Sequence, residues 1–278
     1  MNTGKIHLID KNFQSQHSGK CNLLLRISPN RFSYAIIDQG NDQLKVLFDS
    51  PVDEGLSNLK TFIHGDYLLR FHFHRIKISV ESSEFTFIPR DIYSESELHY
   101  YALFINPGAN SDIAVSDIRS AKIRNINAID KHLRAVLDSS FNRPAIFNQA
   151  NSFIEAAFRL YRNTAGAILL LQFNTGSFEA LILKDNKLEN YNLFSIDNAD
   201  EFNYFLLALI RDFELKSAGT DVILSGYISE DEENYRRVQK YFNNIAFADS
   251  RKLVRLGDLF EQVPAHQFFS LISLNLCE

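Results

Sequence analysis

Leu23–Asp38 reads LLLRISPNRFSYAIID, and Leu169–Lys184 reads LLLQFNTGSFEALILK. Each stretch is two apolar runs of strand length with turn formers between them, Pro29 and Asn30 in the first and Asn174, Thr175 and Gly176 in the second, so each predicts a β-hairpin. The two overlie without a gap from Leu23 to Leu169, an offset of 146 residues, and turn at the same step. Working outward, Asn22–Ser28, Arg31–Asp38 and Gln43–Ser50 predict three successive strands, followed by a helix from Asp53 through Leu56, Leu59 and Ile63 to Gly65. The later copy continues with a third strand at Lys187–Ser195. Its helix is capped by Asn198 with Glu201 three residues on, and Phe202, Phe205, Leu206, Leu209, Ile210 and Phe213 lie on one face. The order strand, strand, strand, helix thus occurs twice. An α/β protein of two similar halves, 1–163 and 164–278, is the expectation.

Between these copies the first half carries predicted strands at Lys77–Val80, Phe85–Ile88 and around Ile113–Val115. A helix opens at Ser94, boxed by Glu97, with Leu98, Tyr101, Ala102 and Ile105 inward, and further helices lie near Leu133–Leu137 and Phe153–Tyr161. The second half adds the strand DVILSG, a helix opened by Ser229 with Glu232 as its box partner, and the strand IAFAD. HQFFSLISLNL at the end fits either a helix or a strand.

Composition narrows the classes. With 45% hydrophobic and 23% charged residues, 278 residues suffice for two cores, and a formal net charge of −5 supplies no global field toward phosphates or anionic lipid. Apolar runs such as AILLLQF and YFLLALI are far shorter than a bilayer requires, so no membrane span is expected. Two cysteines, Cys21 and Cys277, without a charged and apolar leader point to the cytoplasm rather than to a secreted disulfide scaffold. Only 11 glycines leave little material for backbone phosphate cradles.

FNTGSFEALILKDNKLENYNLF, ILSGYISEDEENYRRVQKYFNNIAFAD and HQFFSLISLNLCE resemble the DUF3822 family of Bacteroidetes, and the repeated element order resembles the actin, Hsp70 and sugar-kinase superfamily. The resemblance implies an actin-like ATPase fold. It consists of duplicated ribonuclease-H-like domains, each a mixed sheet with a three-strand antiparallel meander flanked by helices, and a nucleotide site lies between them where the motifs persist. It also implies a role without assigned activity, since the same architecture occurs in pilus and secretion assembly proteins that bind other proteins.

Against the superfamily's second phosphate hairpin, Asp-x-Gly-Gly-Gly-Thr-x-Asp, this chain sets Gln172 to Glu179, where Gly176 alone remains of the glycines and Gln172 is a neutral amide in place of a carboxylate. The first hairpin has Arg26 at the carboxylate position and Pro29, which lacks an N–H, in the turn. The adenosine-contacting Gly-Gly pair becomes LSGYI, with Tyr227 in second place. Neither a catalytic residue nor a metal ligand is therefore assigned, and no cofactor is expected. Were ATP with magnesium to bind, Asn174, Thr175, Gly176, Ser177 and Gly226 would hold it.

His72 and His74 alternate as in a strand but have no third ligand, and Ser225 in LSGYI lacks a nucleophile frame. Arg119, Lys122, Arg124, Lys131 and Arg134 form the basic concentration through which RNA could be held, although a solvated face is its ordinary meaning. The expectation is a non-catalytic protein-binding or scaffold module of actin-like fold. The alternatives are an atypical ATPase or kinase using the cleft between the halves, and an RNA-associated binding protein.

Overall fold

The computed structural model describes residues 4–52 and 59–278. Asp53 and Leu56, which open the first expected helix, lie outside the described residues. Two compact units emerge. One gathers Gly4–Glu155 with Leu253–Gln262 and Leu271–Glu278, and the other Ala156–Lys252 with Val263–Ser270. The end of the chain thus contributes to both units, which a single cut in the sequence does not express.

The first unit holds β1 (Ile6–Ile9), β2 (Cys21–Ser28), β3 (Arg31–Asp38), β4 (Gln43–Pro51), α1 (Leu59–Gly65) and β5 (Arg75–Val80). After these come β6 (Phe85–Pro89), α2 (Leu98–Leu103), β7 (Ser111–Ile118), β8 (Ile123–Asp130), α3 (Lys131–Ser140), β9 (Ala145–Asn148) and the start of α4 (Gln149–Tyr161). Its main sheet runs β1-β4-β3-β2-β5-β9, and a three-stranded sheet β6-β8-β7 is inserted between β5 and α3. The second unit holds β10 (Ala167–Phe173), β11 (Ser177–Lys184), β12 (Lys187–Ser195), α5 (Ala199–Asp212), β13 (Thr220–Gly226), α6 (Glu233–Gln239) and β14 (Asn244–Phe247), with a sheet ordered β12-β11-β10-β13-β14. HQFFSLISLNL yields a short helix, α7 (Phe269–Ser273), and a tight turn after it.

The duplication extends to pairing register. Ile27 faces Phe32 across the first hairpin and Phe173 faces Phe178 across the second, while Arg26 pairs Ser79 and Gln172 pairs Ser225 on the parallel side. The irregularity at Ile36/Ile37 recurs at Ile182/Leu183. Alternation fixes the cores accordingly. Leu23, Leu25, Ile27, Phe32, Tyr34 and Ile36 enter one core, and Leu169, Leu171, Phe173, Phe178, Ala180 and Ile182 enter the other beneath Phe202, Leu206 and Leu209 of α5. Because β2, β3, β10 and β11 are buried on both faces, their sequences are near-continuous apolar runs. The third strand differs between copies, since β11 and β12 close through only Asp185 and Asn186, both at positive φ, the geometry of a type I′ turn.

Two expected helix starts shift. Ser94 does not cap a helix. Its Oγ meets Ser96 Oγ at 2.8 Å, the Tyr101 hydroxyl takes Glu97, and a tight turn at Glu95–Glu97 precedes α2. Ser229 likewise turns to the side chains of Asp231 and Glu232, and α6 begins only at Glu233. The expected strand near Ile113 is the longer β7, whose partner β8 and the strands β1 and β9 the sequence reading did not find.

Candidate functional site

The parallel strands β10 and β13 end side by side, Phe173 opposite Gly226, so the turn Asn174–Thr175–Gly176 and the start of the Gly226–Tyr227–Ile228 loop converge at one edge of the second sheet. This is the crevice position of an α/β sheet, outside the carboxyl ends of its strands. The residues singled out from sequence are therefore brought together. Thr175 and Gly176 face solvent and Ser177 is buried as the first residue of β11.

The polar groups there are engaged with one another. Asn174 N donates to Ser177 O at 2.9 Å, and its side-chain amide lies 3.3 Å from Ser177 Oγ and 3.2 Å from Glu179 Oε1. Glu179 is fully buried, and its other oxygen accepts the Tyr191 hydroxyl at 2.9 Å. Gln172, set by the resemblance at a carboxylate position, is also buried. Its Nε2 donates to Asn174 Oδ1 at 3.4 Å, and its Oε1 has no partner among the described residues. A neutral acceptor in that place contributes no charge to a hard cation.

On the neighbouring loop Gly226 N donates to His266 O, Tyr227 N to Phe173 O and Ile228 N to Gly226 O, at 2.9 to 3.0 Å. Gly226 adopts φ +81°, and a Cβ there would stand 2.1 Å from Phe173 O and 2.4 Å from Gln172 Nε2. Its glycine thus serves the close approach of two strand ends. His266 braces the loop from beyond, with Nε2 2.8 Å from Ile228 O and its ring stacked on Phe247 at 4.2 Å, and burial holds its pKa below the ordinary value of 6.5.

At the equivalent edge of the first unit the chemistry is ionic. Arg26 pairs with Glu81 at 3.3 Å. Arg31 grips buried Asp49 with two nitrogens, and Ser33 Oγ donates to the same carboxylate at 2.6 Å. The two guanidinium groups of this hairpin are thus paired with carboxylates from β4 and from the residue after β5.

The other candidates disperse. His72 and His74 lie in a loop before β5 rather than on a strand, both exposed, and among the described residues no group of three His, Cys, Asp or Glu is placed to hold a metal. Ser225 Oγ donates to Leu171 O at 3.2 Å. Burial pushes the Cys21 thiol up to about 11 and Cys277 to about 12, so neither supplies a thiolate near neutrality. Of the basic residues, Arg119 and Lys122 flank the β7–β8 turn, Arg124 lies on β8, and Lys131 and Arg134 are on α3. Arg119 pairs with Glu278, Arg124 with Asp117 at 3.1 Å while lying 4.1 Å over the Tyr93 ring, and Arg134 with Asp138 at 3.6 Å. No helix among the described residues is long and apolar enough to cross a membrane.

The sequence reading missed Tyr191 and His266. Tyr191 is one aromatic in a strand and His266 lies far along the chain from Ile228, so neither carries a local signal.

Similarity to known proteins agrees with this architecture. A crystal structure from Bacteroides thetaiotaomicron VPI-5482, described as a protein with actin-like ATPase fold and unknown function, matches at TM-score 0.80 and 21% identity over 96% of this chain and 99% of that one. A structure of the PilM-PilN type IV pilus biogenesis complex matches at TM-score 0.66 and 13% identity, over 92% of this chain and 97% of that one. No curated protein matches the chain. The fold is thus the actin-like ATPase fold in duplicated form. The family model described as "Protein of unknown function (DUF3822)" matches residues 10–245, and the chain belongs to that family.

Proposed function

We propose that this protein is a non-catalytic member of the actin-like fold that works by binding another protein. The observation that carries this reading is the engagement of the β10–β11 turn and the Gly226 loop with themselves. Phosphoryl transfer rests on placed N–H donors and a carboxylate-held cation. Here the amides of Asn174, Gly226, Tyr227 and Ile228 donate inside the protein, Gln172 is neutral, and the Glu179 carboxylate is buried beneath Asn174 and Tyr191. A similar structure that is part of a two-protein complex supports the choice of a protein as the partner. RNA held through Arg119, Lys122, Arg124, Lys131 and Arg134 has less support, because three of these cations already have carboxylate neighbours.

Thermal unfolding with and without millimolar Mg-ATP tests the reading. A ligand at 100 times its dissociation constant adds about 2.7 kcal/mol, which raises the midpoint of a chain this size by roughly 5 to 10 °C. The midpoint is expected to stay within about 1 °C, well below that linkage shift. A dose-dependent rise of several degrees would restore the atypical ATPase or kinase reading, with Asn174, Thr175, Gly176, Ser177 and Gly226 as its contacts.

A further inference from the structure

A cavity of about 380 Å³ lies at the amino ends of the parallel strands β5 and β9, wholly within the first unit. Arg26 and Glu81 meet at the other end of the same strands. Alternation along β5 sends Ile76, Ile78 and Val80 into the core, which leaves Arg75 and Lys77 together on the opposite face. The loop before β9 brings Arg143 to the cavity, and the loop before β5 brings His72 and His74. Three cationic side chains therefore share one small space.

Their charge is not offset within the protein. Lys77 is only 4% exposed, and of its three N–H donors two go to Asn275 O, at 2.7 Å, and Cys277 O, both neutral carbonyls. Burial holds its pKa below the ordinary 10.5, and the neighbouring Arg75 pushes the same way. Glu278, the acidic residue of the lining, gives its side chain to Arg119. Glu155, whose charge reaches Cys277, accepts from Ser120 N at 3.4 Å. Among the described residues Arg75, Lys77 and Arg143 form no ion pair. A buried cation without a counter-charge is costly, and like charges gathered around it add to the cost.

We propose that this cavity binds a small phosphate-bearing anion, with the guanidinium groups of Arg75 and Arg143 taking its oxygens and the ammonium of Lys77 contributing charge. Guanidinium matches phosphate with paired N–H donors, and a phosphate carries two charges toward three cations where a single carboxylate carries one. Phe73, Ile76 and Phe147 in the lining admit an apolar body on the phosphate. The site stands apart from the turn Asn174–Gly176 and the Gly226 loop, which belong to the other unit.

Isothermal titration calorimetry of the full chain at fixed ionic strength tests this, with phenyl phosphate, inorganic phosphate and benzoate as probes. Saturable binding of phosphate at one site is expected, with a dissociation constant of about 1 mM or tighter, and benzoate at least about tenfold weaker. Tighter binding of phenyl phosphate assigns an ester as the ligand and equal binding assigns free phosphate, and either result supports the site. Arg75→Ala, Arg143→Ala should weaken binding about tenfold or more. Arg162→Ala, Arg211→Ala, which removes the same charge at exposed positions of the other unit, should leave it unchanged. Arg143 has φ +50°, a conformation glycine adopts freely, so Arg143→Gly should melt no earlier than the wild type and still bind more weakly. That pairing separates loss of the site from loss of the fold. No saturation by either phosphate probe at about 20 mM, equal affinity for benzoate, undiminished binding in the Arg75 and Arg143 variants, or an equal loss in the control would overturn the assignment. Any Mg-ATP shift that persists in Arg75→Ala, Arg143→Ala belongs elsewhere than this cavity, so this site and the non-catalytic reading fail separately.

Discussion

Gly226 has two reasons to be glycine, its positive φ and the pressure of Phe173 O and Gln172 against the missing Cβ. Gly226→Ala must therefore move backbone at the end of β10, and we expect a loss of about 3 kcal/mol, at the upper end for a strained and overpacked site, read as a lower denaturant midpoint at unchanged slope. Gly65→Ala is the control. Nothing lies within 4 Å of that position and its φ is not in the left-handed region, so stability should change by no more than about 1 kcal/mol and in the favourable direction. His266 gives the same loop a pH dependence. Burial lowers its folded pKa below 6.5, so the unfolded chain takes up the proton first, and the stabilisation is whole above 6.5 and lost as pH falls through the folded value. Melting midpoints between pH 5 and pH 8 should fall on the acid side of about 6.5, and His266→Gln, which does not titrate, should flatten that limb.

Among the elements, α5 is the one whose beginning the sequence states fully. Asn198 accepts from Asp200 N and Glu201 N at 3.0 Å, and Asp197 N donates to Glu201 Oε2 at 2.9 Å. Asn198→Ala should cost about 1 kcal/mol by chemical denaturation. The same motif misleads at Ser94 and Ser229, where nearby side chains compete for the hydroxyl before a backbone N–H can. On those grounds Ser94→Ala and Ser229→Ala should each cost clearly less than Asn198→Ala. The strand β8 was hidden for a different reason. Its residues IRNINAID put Ile126 and Ala128 into a small core, but the alternate positions bury Asn125 and Asn127, and Asn125 Nδ2 donates to Asn151 Oδ1 at 2.8 Å. Buried asparagines look like loop or surface in a sequence, and only the partner helix α4 shows why they are inside.

For the molecule as a whole, the hairpins at Leu23 and Leu169 carried the fold because strands buried on both faces leave an unbroken apolar trace, and because register is copied wherever that trace is copied. For the candidate site the sequence offered an expectation taken from the resemblance, Gln172 at the place of a carboxylate and Tyr227 at that of a glycine. The contacts of Tyr191 and His266 were not legible, since they reach Glu179 and the Gly226 loop only through tertiary packing. The central claim is that the amides bordering this turn are already satisfied within the protein. Residue-resolved hydrogen exchange of the chain without ligand measures that most directly. Asn174, Gly226, Tyr227 and Ile228 should be protected far above the exposed Thr175 and unchanged by millimolar Mg-ATP. Rapid exchange at these four amides, slowed when Mg-ATP is added, would contradict the account.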